Sequence, residues 1–194
     1  RTWLHNDFSN IGTNYTQRRK LMNEDKIVEF LSNLGFEEIF CEKLNMIEKI
    51  HLFSKAEFVI GAIGGGMSNL LFSNKNTKAI TLNSPYFLDI NSRFRYCMEN
   101  TNLYHFNDTY LDQIDKDIIP KYVRVKINNK FGEIEDYVGN NIYNIKVGDG
   151  TNTGWNSQDN FKIMKVSRQD FEPLDKGLNS PWYVNFNKFK SLVE

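Results

Sequence analysis

The sequence predicts an α/β domain built on a parallel sheet, followed by a small antiparallel β-barrel. Three observations predict it. Short apolar strands and helical segments alternate through the first part of the 194-residue chain, the pattern of a parallel sheet covered by helices. Within that alternation a glycine-rich turn, Gly64-Gly65-Gly66, links an apolar strand to a helix. Beyond Pro120 the texture changes to short strands with period-two alternation and Gly/Asn turns, which points to an all-β module. These features divide the chain into domains at 1–119 and 120–194.

Taken in order, residues 1 to about 16 are polar and aromatic without a clear period. Asn23-Glu24-Asp25 then offers an N-cap and an acidic first turn, and Ile27, Val28, Phe30, Leu31 and Leu34 follow at helical spacing. Gly35 stops that helix as a C′ glycine. Glu38 to Cys41 reads as a strand, and Asn45 to Lys55 as a helix with Met46, Ile47, Ile50, Leu52 and Phe53 as its apolar set. Phe58–Ile60 is a buried strand, the glycine turn leads into a helix through Leu71, and Ala79–Leu82 is the next strand. Leu88 to Asn100 has helical character, and Tyr104-His105-Phe106 a strand's. Ligands of such sheets sit at the carboxyl ends of the strands. The glycine turn and Leu82-Asn83-Ser84-Pro85 both fall at such ends.

In the second part, Tyr122 to Ile127 alternates with period two and Asn128 to Gly132 makes a turn. Glu133 to Tyr137, Tyr143 to Val147 and Phe161 to Val166 are further short strands, punctuated by Gly139-Asn140-Asn141 and Gly148-Asp149-Gly150. This spacing predicts an SH3-like barrel over 121 to about 172. Trp182, Tyr183 and Phe186 are expected to pack the tail and its short final helix onto a domain surface.

Composition narrows the function. A hydrophobic share of 40% supports a packed core, and 24 basic residues balance 24 acidic ones. That balance argues against generic nucleic-acid binding. Cys41 and Cys97 have no CxxC partner and read as reduced core thiols in a cytosolic setting. No apolar run reaches the length of a bilayer span, so the expected location is cytoplasmic or peripheral to a membrane. Arg1 in place of an initiator Met predicts a fragment or a processed chain.

The motifs together resemble a known family. Arg19-Lys20-Leu21-Met22-Asn23-Glu24 resembles the R-x-x-x-N-E signature of glycosyltransferase family 61, the group that is like capsular polysaccharide biosynthesis proteins. Leu34-Gly35-Phe36 is similar to its glycine–aromatic step, and Glu48 to Ala56 to its E-Q-I-x-L-F-x-x-A helix. Gly61 through Asn69, with Phe72, resembles its G-x-H-G-A-G-L-[ST]-N-x-x-F loop. Thr77 to Leu82 resembles a strand that usually reads T-x-V-I-E-L. Order and spacing agree over residues 18–85. The resemblance implies a Rossmann-like, GT-B-type donor-binding half, a nucleotide-diphosphate sugar as co-substrate, and a glycan or polysaccharide acceptor. It also implies an acceptor-binding half upstream of Arg1 and no further cofactor. Three positions depart from the pattern. Lys49 replaces a glutamine, Ile63 stands where the family has histidine, and Thr81 stands where it has the glutamate that commonly holds a ribose.

The nucleotide-sugar-binding candidates are Arg19, Asn23, Gly64, Gly65, Gly66, Ser68, Asn69 and Thr81. Arg19 offers a planar fork of donors suited to a diphosphate, or is a surface arginine before a helix. Asn23 is a helix N-cap whose amide a ligand would have to share. The three glycines can wrap a phosphate with backbone N–H groups, or simply make a tight crossover. Ser68 and Asn69 can cap the helix or donate to phosphate. Thr81 can accept one hydrogen bond from a ribose hydroxyl. His5, His51 and His105 lack metal-ligand spacing, and no DxD pair ends a strand, so no metal site is expected. Trp155 reads as core or as a sugar platform. The expected function is metal-independent glycosyl transfer. The rival readings are a degenerate binding or assembly module and, more weakly, a nucleotide-dependent enzyme of another class.

Overall fold

A computed structural model of the chain describes residues 2–5, 20–86, 102–111, 117–148, 162–177 and 179–194, the first four by their backbone. The helix expected over 88–100, Cys97 and Trp155 lie outside the described residues. The chain divides into two compact units. Residues 1–12, 21–110 and 182–194 form the first, and 13–20 and 111–181 the second.

The first unit is mixed α/β. Its strands are β1 (Thr2–His5), β2 (Glu37–Phe40), β3 (Phe58–Ala62), β4 (Lys78–Leu82) and β5 (Asn102–Phe106). They form one five-stranded sheet in the order β2-β1-β3-β4-β5, and every pairing in it is parallel. Parallel strands need crossover connections, and the sequence supplies helices for them. Helix α1 (Glu24–Asn33) follows β1, and α2 (Met46–Lys55) follows β2.

Local chemistry fixes the ends of both helices. Gly35 closes α1 with φ +80. Its N–H donates to Ser32 at 3.0 Å and that of Phe36 to Leu31 at 3.0 Å, the paired bonds of a Schellman motif. Asn45 opens α2 with a capping box, its side chain accepting from the Glu48 N–H while the Glu48 carboxylate accepts from the Asn45 N–H at 2.7 Å. Of the apolar set predicted for α2, Phe53 is fully buried but Ile47 is 79% exposed. The helix meets the sheet along a narrower stripe than its composition implies.

Each face of the sheet has its own core. On one face Val59 and Ala79 pack with Phe53, Met67, Leu70 and Cys41, joined by Leu103. The tail supplies part of the other. After β12 (Trp182–Val184), helix α3 (Phe186–Val193) buries Phe189 completely. The Phe189 ring stands edge-on to Phe106 at 5.8 Å and to Phe30 at 6.2 Å. Trp182 and Val184 are buried and Tyr183 half-buried, so the tail is core rather than trimming.

The second unit is antiparallel. Strands β7 (Arg124–Ile127), β8 (Lys130–Gly139), β9 (Ile142–Val147), β10 (Lys162–Ser167) and β11 (Glu172–Pro173) form a five-stranded sheet in the order β10-β9-β8-β7-β11. Back in the first unit, a two-stranded ribbon pairs β12 with β6 (Thr109–Leu111). The β7–β8 hairpin turns at Asn128 and Asn129 with φ 45 and 65, and the β8–β9 hairpin at Asn140 and Asn141 with φ 50 and 60. Two central residues with positive φ make type I′ turns, which Asn tolerates and which match strand twist. Val123, Val125, Ile134, Tyr143 and Ile145 fill the core beneath. The expected closed barrel is not found among the described residues, where the five strands form a sheet with β10 and β11 at its edges. Among the described residues, no helix is long and apolar enough to cross a membrane.

Candidate functional site

The glycine turn lies where β3 ends. Ile63 extends β3 by one residue, its N–H donating to the Leu82 carbonyl at 2.9 Å. Its side chain is buried. A helix of 3-10 type then runs over Gly65–Phe72. Gly65 is exposed, with Gly64 and Gly66 half-buried on either side. The helix's first N–H groups have no acceptor within it, and its dipole places positive potential there. Nothing lies within 4 Å of where a Gly65 side chain would begin, so the backbone is open to an approaching group.

The polar residues of this helix turn back on it. Ser68 Oγ donates to the Gly65 carbonyl at 2.5 Å, and Asn69 Nδ2 to the Gly66 carbonyl at 2.9 Å. The Asn69 side chain also hydrogen-bonds the Cys41 thiol. Burial pushes the Cys41 pKa above its ordinary value, and Lys49 pulls it the other way. Cys41 is thus a buried free thiol, as its sequence context implies. Asn69 braces the helix against the core, while Ser68 remains exposed at the turn.

Thr81 is fully buried on β4, in register with Gly61 on β3 and His105 on β5. Side chains two apart along a strand share a face. Val59, Ala79 and Leu103 pack beneath the glycine helix, so Gly61, Thr81 and His105 form the next layer on that side. Thr81 Oγ1 lies 2.6 Å from His105 Nδ1. The threonine hydroxyl is therefore committed to a neighbouring strand. One layer further on, Asn83 Nδ2 donates to Asn107 Oδ1 at 2.7 Å, and Thr109 Oγ1 donates to the Asn83 carbonyl at 2.7 Å. The sequence marks Asn83 only as a strand end, and His105 only as a strand residue without metal-ligand spacing. Their pairing depends on the β4–β5 register, which no local pattern encodes.

Asn23 departs from its expected role. It sits just before α1, but its side chain makes no capping bond. The amide instead grips the tail, Nδ2 donating to the Val184 carbonyl at 2.8 Å and Oδ1 accepting from the Val184 N–H at 3.1 Å. The Met22 N–H donates to the Trp182 carbonyl at 2.8 Å alongside. Asn23→Ala should strip both partners from a buried backbone and lower stability by about 1–3 kcal/mol. Faster hydrogen exchange at Val184 in the variant checks this; unchanged exchange there refutes it. Arg19 lies outside the described residues.

Residues 9–80 match a family model described as Glycosyltransferase 61. Over this segment the chain is similar to glycosyltransferase family 61. The match runs from before α1 to the middle of β4 and so contains the whole glycine turn. That similarity supports a glycosyltransferase in general, a class of enzyme that works on a sugar donor and an acceptor. No curated protein and no solved structure matches the chain. The family-61 match stops at residue 80, short of Thr81, His105 and Asn83.

Proposed function

We propose that the first unit is the donor-binding half of a GT-B-type glycosyltransferase, taking a nucleotide-diphosphate sugar and passing the sugar to a glycan or polysaccharide acceptor. The observation that carries this reading is the accessible glycine turn at the carboxyl edge of a parallel sheet, inside the family-61 segment. The strand order supports a Rossmann-like description. The chain reverses direction across the sheet between β1 and β3, and ligands of open α/β sheets lie beyond the strand ends at such a reversal. Backbone N–H groups at Gly64–Gly66, with the exposed Ser68, would receive the diphosphate. Arg19, shortly before α1 in sequence, would supply the counter-charge. The same donors would hold the charge that develops on the leaving diphosphate. In the second unit β11 returns to pair with β7, a step toward closure that supports an SH3-like description.

One observation favours the rival reading of a degenerate binding or assembly module. Ile63 carries no donor, and its backbone N–H is already bonded to Leu82. Calorimetry of the full chain against UDP-, GDP- and CDP-sugars separates the two. The transferase reading expects one of these to bind. Gly65→Ala should leave the fold intact, since its methyl meets nothing within 4 Å. It should still weaken that binding by standing where the phosphate must approach. Arg19→Ala should weaken it about tenfold, through loss of a charge-assisted contact. No binding across the panel, or full affinity in Arg19→Ala, sinks the transferase reading.

A further inference from the structure

The Asn83 amide has a polar atom with nothing to bond among the described residues. Asn83 is 1% exposed. Its Nδ2 is satisfied by Asn107 Oδ1 at 2.7 Å, whereas its Oδ1 is buried and has no hydrogen-bond partner among the described residues. Buried side-chain polar atoms in folded proteins are paired in the large majority of cases. An orphaned one costs stability that a purely structural asparagine would have no reason to forgo. Exchanging oxygen and nitrogen in both amides moves the orphan to the Asn83 nitrogen without removing it.

The place of this atom is specific. Asn83 follows the last residue of β4, and its N–H continues the ladder onto the Phe106 carbonyl at 3.1 Å. On the opposite side, the Ile63 N–H donates to Leu82, the residue before it. Asn83 is thus held one strand away from the start of the glycine turn, a spacing of about 4.8 Å. It follows Thr81 by two positions, on the face that the glycine helix covers. A group attached to a phosphate at Gly64–Gly66 would have about one strand spacing to cross to meet it.

We propose that Asn83 determines specificity for the transferred sugar, its orphaned amide atom bonding a hydroxyl of the donor's sugar ring. This rests on the donor-site reading above. A hydroxyl both donates and accepts, so it satisfies Asn83 in either amide orientation, which an anionic phosphate oxygen does not. A site built to hydrogen-bond a ligand hydroxyl rejects a ligand that lacks it, because the buried partner is then left unpaired. Asn107 is exposed, so water can serve its amide if Asn83 is replaced.

The test compares each nucleotide sugar of the panel with its free nucleoside diphosphate, by calorimetry on the full chain. The wild type should bind one nucleotide sugar more tightly than the matching diphosphate. Asn83→Ala should remove that preference, a loss of about tenfold, while leaving affinity for the free diphosphate unchanged. If Asn83→Ala does not fold, Asn83→Leu, which removes the amide without opening a cavity, carries the same expectation. Equal weakening of both ligands, an unchanged preference, or a wild type that binds the diphosphate as tightly as the sugar form each overturn the proposal while leaving the donor site standing. Binding of neither ligand by the wild type overturns both.

Discussion

Phe53→Ala should lower the stability of the first unit by about 3–5 kcal/mol, the cost of deleting a large buried ring and leaving its cavity. Phe53 is fully buried between α2, the sheet and the glycine helix, with Met67, Leu70 and Val59 around it. The helix that carries the glycine turn is of 3-10 type, whose hydrogen bonds are poorer than those of an α-helix. Its position therefore depends on the apolar surface beneath. The substitution should reach the site as well as the core, with amide exchange accelerating over Gly65–Phe72 before the sheet itself opens. Denaturant titration gives the stability change, and exchange resolved by peptide gives the order of events. A loss below about 1 kcal/mol would mean that the neighbours collapse into the space.

Tyr143→Ala should destabilise the second unit to a similar degree, about 3–5 kcal/mol. Tyr143 is 1% exposed, stands edge-on to Phe171 at 5.3 Å and tilts against Tyr137 at 4.9 Å. Its hydroxyl accepts from the Ile119 N–H at 3.3 Å. Tyr143→Phe keeps the ring and loses only that bond, so it should cost about 0.5–1.5 kcal/mol. The pair separates ring packing from hydrogen bonding, with urea unfolding as the readout. Equal losses in the two variants would assign the effect to the hydroxyl.

What the sequence reveals here is local chemistry. Gly35 ends α1, Asn45 opens α2, and the two Asn-Asn pairs set tight hairpins, because each needs only residues a few positions apart. The glycine turn is legible for the same reason. The side chains that surround it are not. Asn23 has the residue type and position of a cap, yet its amide serves a backbone 161 residues away. Thr81 looks like a free acceptor until His105, 24 residues later, is aligned with it. Met46, Ile47 and Ile50 keep helical period but remain exposed, since period records which face is apolar and not how much of it another element covers. Ile63 shows the limit from the other side, as its buried side chain explains why an apolar residue is tolerated there without saying what a ligand meets.

The grip of Asn23 on Val184 has a consequence for biosynthesis. Residues 182–194 complete the unit that residues 21–110 begin. The ribosome makes the chain from its N-terminus, and domains generally fold as they emerge. The antiparallel segment is finished first, while the nascent parallel sheet still lacks Phe189 and the strand that Asn23 holds. That sheet must wait, partly uncovered, until the tail has been translated.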